Sequence, residues 1–145
     1  MKVGDIPEVE WAARWPHVRL DEFNSLPEME VGVMNALNTL CYDAECTLSW
    51  RHRINDDYRA TGDGQHRIGN AVDVVFYLQS PGDVGVLDQF LFALGRSTFR
   101  RVGFYPFWNA PGLHLDMKNE TLYWWRDKSL TYHYGRTPGK LLTWV

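Results

Sequence analysis

The 145-residue sequence predicts a small single-domain α+β fold, a largely antiparallel sheet with helices packed on it. Three observations carry this expectation. Apolar residues recur at helical spacing after Ser25, a β-branched and aromatic run fills Ala71 to Leu78, and strand-like runs joined by short links crowd the last third of the chain.

The first 24 residues read as irregular, with Pro7 and Pro16 breaking them up and Trp11 and Trp15 supplying bulk to wrap the domain. Ser25-Leu26-Pro27-Glu28 has the Ser-x-x-Glu form of a capping box with proline in the first turn. Met29, Val33, Ala36, Leu37 and Leu40 follow at helical spacing, so a core-facing helix is expected to run to about Cys41. Cys46 to Trp50 alternates like a half-buried strand, and the polar stretch 51–69, with three glycines, reads as a long loop. Ala71 to Leu78 is a buried strand. Ser80-Pro81-Gly82-Asp83 opens a second helix with an apolar stripe of Val84, Leu87, Leu91 and Leu94 and a stop at Gly95. Further strands are expected at Arg101–Tyr105, Leu113–Met117 and Leu122–Arg126.

Composition narrows the function. With 45% hydrophobic and 23% charged residues, this is an ordinary globular composition. The net charge is −3 and no basic run exceeds two residues, which argues against a phosphate-neutralising nucleic-acid surface. No apolar run approaches the ~20 residues of a membrane span, so no membrane insertion is expected. The start, Met1-Lys2-Val3-Gly4, has no apolar stretch behind its lysine, and synthesis in the cytoplasm without a signal peptide is expected. Cys41 and Cys46 lack the spacing of a redox or zinc pair and are expected to be reduced and structural. Many of the aromatics fall between Phe99 and Tyr134, as core or as the wall of a groove for a ligand with apolar and amide surfaces.

The chemistry concentrates in Gln65-His66-Arg67-Ile68-Gly69-Asn70-Ala71-Val72-Asp73 and in Gly112-Leu113-His114-Leu115-Asp116-Met117-Lys118. Alternation along a strand puts His114 and Asp116 on one face and Leu113, Leu115 and Met117 on the other. Asp73 points opposite to Val72 and Val74, where a carboxylate is costly to bury unless paired or bound to a metal. His66 can fold back on Asp73 across the Gly69 turn. Two imidazoles and a carboxylate make a catalytic zinc set with one coordination position left for water. A nearby carboxylate must then take the water's proton. His17, His52 and His133 have no partner spacing and are expected at the surface.

These segments resemble the zinc D-Ala-D-Ala carboxypeptidases and related peptidoglycan endopeptidases. That family carries Ser/Gln-His-x-x-Gly-x-Ala-x-Asp, matched in full by residues 65–73. One branch continues with Gly-x-Gly-x-Tyr-Pro and then x-His-x-Asp; the corresponding residues here are Arg101-Val102-Gly103-Phe104-Tyr105-Pro106, with Arg101 in the place of the first glycine, and Leu113-His114-Leu115-Asp116. The opening Leu20-Asp21-Glu22-Phe23 also looks like this branch. The resemblance covers about residues 17–118, leaving 119–145 as a C-terminal addition. It implies a small α+β unit with zinc on an antiparallel sheet, His66, Asp73 and His114 as ligands of Zn2+, and peptidoglycan stem peptides as substrate. The family's Ser-x-Tyr-Arg stretch, whose arginine binds substrate and polarises its carbonyl, has its nearest match in Ser49-Trp50-Arg51. Several branches place an acidic base three residues before the second zinc histidine, where this chain has Pro111. Asp116 is therefore expected as base or as a group orienting His114, with Glu120 the weaker alternative.

The expected function is thus a zinc metallopeptidase cutting an amide bond in peptidoglycan peptides, as a carboxypeptidase or an endopeptidase. Small size without a signal peptide is compatible with a bacteriophage lysis or virion protein that acts on the cell wall. The rival expectation, motivated by Pro111, is a non-catalytic peptide-binding or virion-assembly protein on the same fold.

Overall fold

A computed structural model describes residues 1–62, 64–78 and 84–137. Six strands form one sheet in the order β1-β2-β4-β3-β5-β6: β1 (Trp50–Asp56), β2 (Ala71–Leu78), β3 (Arg101–Tyr105), β4 (Gly112–Asp116), β5 (Leu122–Arg126) and β6 (Tyr132–Gly135). All neighbours pair antiparallel except β3 and β5, which run parallel. Helices α1 (Trp11–Arg14), α2 (Val31–Leu48) and α3 (Val86–Arg96) complete a small α+β domain.

One face of the sheet is the core. Val72, Val74 and Phe76 of β2, Val102 and Phe104 of β3, and Leu113 and Leu115 of β4 cluster with Val33, Met34, Leu37 and Leu40 of α2 and Phe90 and Ala93 of α3. The N-terminal segment wraps this core through short 3-10 turns and buries Val3, Trp15 and Met29 almost completely. Trp15 Nε1 donates to Asn35 Oδ1 on α2, so its buried ring keeps its polar atom satisfied.

Several boundaries differ from expectation for identifiable reasons. The capping box at Ser25 does not form. Residues Leu26–Glu28 make a separate 3-10 turn, Ser25 has no capping bond, and its backbone N–H donates instead to Asp57 Oδ2 at 2.7 Å. Helix α2 starts only after an extended Glu30, whose N–H is taken by the Gly69 carbonyl. It also runs on to Leu48, where a strand was expected, because Leu37, Cys41 and Ala44 continue the helical stripe and Ser49 stops it in a left-handed conformation. The supposed loop begins with β1. Its inward residues His52 and Ile54 are buried while Arg51, Arg53 and Asn55 face out, so charge on one face disguised a strand. β4 lies one residue earlier than expected, and β6 was not anticipated.

The expected helix start at 80–83 lies outside the described residues. Helix α3 buries Gln89, Phe90 and Ala93 rather than Leu91, which is exposed; the true face is rotated, and Gly95 falls within the last turn ahead of Arg96. Buried Gln89 donates from its amide to the carbonyls of Val84 and Pro111 and accepts from Phe76 N–H, tying α3, β2 and the segment before β4 together.

Candidate metal centre

The opposite face of the sheet carries the chemistry, and the strand register lays it out in rows. One row runs Asp56, Asp73, His114, Gly103, Trp124, Tyr134 from β1 to β6. Asp56 joins this row through an irregularity in β1: Ile54 pairs with Val74 but Asp56 pairs with Asp73, leaving Asn55 as an extra residue. Such a bulge re-aims a side chain, and here it turns a carboxylate onto the metal face.

His66 arrives from the loop before β2. It sits in a 3-10 turn (His66–Ile68) closed by Gly69 at φ +72°. A Cβ on Gly69 would fall 2.0 Å from the Glu28 carbonyl oxygen, so only glycine allows this turn to press against the N-terminal segment. The Arg59 N–H donates to the His66 carbonyl, closing the loop from the other side.

The three expected ligands converge, with one ligand atom from each of His66, Asp73 and His114 all lying within 4.8 Å of one another. His66 Nε2 is 3.2 Å from Asp73 Oδ1 and 3.2 Å from His114 Nδ1, and His114 Nδ1 is 2.9 Å from Asp73 Oδ1. His66 and Asp73 are buried and His114 is nearly so. This group is able to hold a metal ion.

The outer nitrogens explain why. His66 Nδ1 lies 2.6 Å from the carbonyl oxygen of Asp57, which can only accept, so Nδ1 carries the hydrogen and Nε2 presents a lone pair. His114 Nε2 lies 2.8 Å from Asp116 Oδ2. Asp116 is fully buried and ionised against Arg101, whose Nε and Nη2 each reach it at 2.8 Å, so His114 Nε2 is likewise the protonated nitrogen. With neutral imidazoles, two nitrogen lone pairs and a carboxylate oxygen then face each other with no hydrogen between them. A cation in their midst, or an extra proton, relieves that repulsion. The titration behaviour has the same origin. Burial pushes the Asp73 carboxyl up, but hydrogen bonds and charge from His114 and His66 outweigh it and hold it down at about 2. Burial pushes the His114 imidazole down, yet Asp116 and Asp73 together raise it.

Asp116 also accepts the Lys118 backbone N–H, and its pKa is lowered: burial opposes ionisation, but His114 and Arg101 prevail. It sits behind His114, on the side away from Asp73. Glu120 is held by Arg101 and Lys118. Arg51 faces the metal side but pairs with Tyr77, four residues along β2 from Asp73, hence about 13 Å away. The structure does not bring it to the triad. Pro111 leaves no acid ahead of His114 and instead lines a cavity of about 680 Å³ beside Arg53, Val75 and Tyr77.

Other residues take up places that sequence reasoning did not assign. Arg59 Nη2 is 3.5 Å from Asp73 Oδ2, and its Nε pairs with Asp56. Tyr58-Arg59, an aromatic–arginine pair much nearer the His66 motif than Trp50-Arg51, was the available signal. Asp57 is fully buried, anchoring Ser25 and Asn24 through its carboxylate while its carbonyl orients His66. Trp124 crosses β3 to put its ring 5.3 Å from that of His114, and its Nε1 donates to Tyr105 Oη at 2.7 Å. Gly103 makes room, since a Cβ there would lie 2.3 Å from the Trp124 ring. Trp124 and Tyr134 thus place residues from the expected C-terminal addition in the metal row itself. His52, expected at the surface, is buried, and accepts the Arg19 N–H. Cys41 and Cys46 are both free thiols.

Compared with family models, with characterised proteins and with solved structures, the chain shows no significant match.

Proposed function

We propose that this protein is a zinc-dependent peptidase that hydrolyses an amide bond in peptidoglycan stem peptides. The observation that carries the reading is the convergence of His66 Nε2, Asp73 Oδ1 and His114 Nδ1, three lone-pair donors whose other atoms are locked by partners of their own. Two imidazoles and one carboxylate suit zinc and leave a position open. The substrate class rests on the sequence resemblance at residues 65–73 and 101–116.

When bound, zinc would supply a water of lowered pKa and polarise the scissile carbonyl. The chain's own residues do the rest. Asp57 and Asp116 fix the tautomers of the two histidines, and Arg101 keeps Asp116 ionised. We assign proton transfer to Asp56, the partly exposed carboxylate that the bulge brings opposite Asp73, and leave Asp116 to position His114. Arg59, at the edge of the triad, is the guanidinium placed to hold a substrate carbonyl, in preference to the more distant Arg51.

Zymography on purified cell walls, with zinc-loaded and chelated protein, tests this reading. Clearing that disappears with chelator and returns with zinc is expected, and mass spectrometry of the released muropeptides then identifies the bond. Walls left intact by a fully zinc-loaded sample would favour the peptide-binding or virion-assembly alternative.

A further inference from the structure

The metal face is rich in arginine although the chain is acidic overall. Alternation places Arg51 and Arg53 of β1, Arg101 of β3 and Arg126 of β5 on it, in a protein of net charge −3. Most have protein partners that absorb their charge or their donors. Arg101 pairs with Asp116 and Glu120, Arg59 beside it with Asp56 and Asp73, and Arg53 donates to Asn55.

Arg126 is different. Its guanidinium carbon lies 5.6 Å from the centre of the Tyr105 ring and 5.8 Å from that of Tyr132, and no carboxylate of the described residues pairs with it. Tyr105 is in turn stacked on Trp108, with centroids 4.0 Å apart and planes 7° from parallel. The two rings, nearly perpendicular to each other at 81°, flank the guanidinium, and none of its N–H groups donates to a carboxylate of the described residues. A cation held between rings and paired with no acid of the described residues is suited to receive a carboxylate from a ligand.

We propose that Arg126, flanked by Tyr105 and Tyr132, binds a carboxylate of the peptide substrate. This rests on the hydrolase reading above and names the substrate class of the same site. Arg126 lies two residues along β5 from Trp124 in the metal row, and β5 is two strands from β4. Its Cα is therefore about 12 Å from that of His114, the span of roughly three to four residues of extended peptide. The fork of guanidinium donors matches a carboxylate in two parallel hydrogen bonds. The carboxylate is either a side-chain acid or the C-terminus of the peptide, and the experiment separates them.

Binding of three peptides to zinc-loaded protein is measured by titration calorimetry: L-Ala-γ-D-Glu-L-Lys-D-Ala, the same peptide with the glutamate α-carboxylate amidated, and the same peptide with the C-terminus amidated. Arg126→Gln is expected to weaken the parent peptide by about 10- to 100-fold. One amidated peptide should bind wild type as weakly and be indifferent to the substitution, and its identity names the carboxylate. The proposal is overturned if Arg126→Gln weakens all three peptides alike or none of them, or if wild type fails to bind the parent. Arg126→Lys keeps the charge without the fork and carries the test should the glutamine variant not fold. Its loss should be smaller and confined to the same carboxylate. Carboxylate-dependent binding without turnover would sink the hydrolase reading and leave Arg126 its role, whereas turnover indifferent to Arg126 would do the reverse.

Discussion

His114 Nδ1 stands 2.9 Å from Asp73 Oδ1 because the antiparallel register of β2 and β4 sets the two residues directly opposite each other. This pair of candidate metal ligands is thus built into the ladder of the sheet, while His66 is added from a loop. Ladder residues keep their spacing as long as the sheet exists, so the metal should be a guest of a largely preformed site.

On the proposed zinc reading, removal of the metal should therefore lower stability without unfolding the protein. Zinc at 100 times its dissociation constant contributes about 2.7 kcal/mol. For a domain of this size that is a melting shift of roughly 8 °C. Calorimetry with and without chelator measures it. His114→Ala should abolish the shift together with activity, and a zinc-dependent shift that survives this substitution would remove His114 from the ligand set.

Asp116 and Asp56 should separate cleanly. Asp116→Asn loosens the orientation and basicity of His114 and should weaken zinc binding by about 10- to 100-fold. Asp56→Asn should keep zinc and lose about 10²- to 10⁴-fold in turnover. Competition with a chromogenic chelator reads the first, and single-turnover hydrolysis the second. Full zinc affinity with lost turnover in Asp116→Asn would make Asp116 the base.

Gly103→Ala tests the Trp124 wall. The added methyl collides with the indole and should cost about 1–3 kcal/mol. Displacement of Trp124 should also break its bond to Tyr105 and uncover His114. Urea unfolding gives the energy, and collisional quenching of tryptophan fluorescence shows whether the ring has moved.

His52 makes the fold acid-sensitive. Burial, reinforced by the nearby Arg19 charge, pushes its imidazole down from 6.5 to about 4. The unfolded chain takes up a proton near pH 6.5 that the folded chain refuses, so this contribution is whole above pH 6.5 and is lost as pH falls toward 4. The loss is on the order of 3 kcal/mol. His52→Gln, which can still accept the Arg19 N–H, should shrink the difference in urea stability between pH 7 and pH 4.5. An unchanged difference would place the acid sensitivity elsewhere.

Much of the site was legible because its signals were local. The His66–Asp73 spacing, Gly69, and the alternation of Leu113, His114 and Leu115 each followed from short stretches of chain. The strands at 71–78, 101–105 and 122–126 stand where the apolar runs suggested. What escaped depended on partners far along the chain. Ser25 looked like a helix cap, but Asp57 claims its N–H. β1 looked like a loop because only every second residue meets the core. Asp56 could not be placed on the metal face without the bulge, nor Trp124 beside His114 without the parallel pairing of β5 with β3.

That bulge at Asn55 limits how the edge of the sheet can be altered. Deleting Asn55 would restore regular alternation and leave Asp56 opposite Asp73, whereas one more residue inserted before Asp56, with the bulge kept to a single residue, would set Asp56 opposite Val72 on the core side. Point substitutions in β1 and loss of the extra residue remain open to an engineer, whereas a single-codon gain ahead of Asp56 exchanges the wet and oily sides of everything between it and the nearest turn.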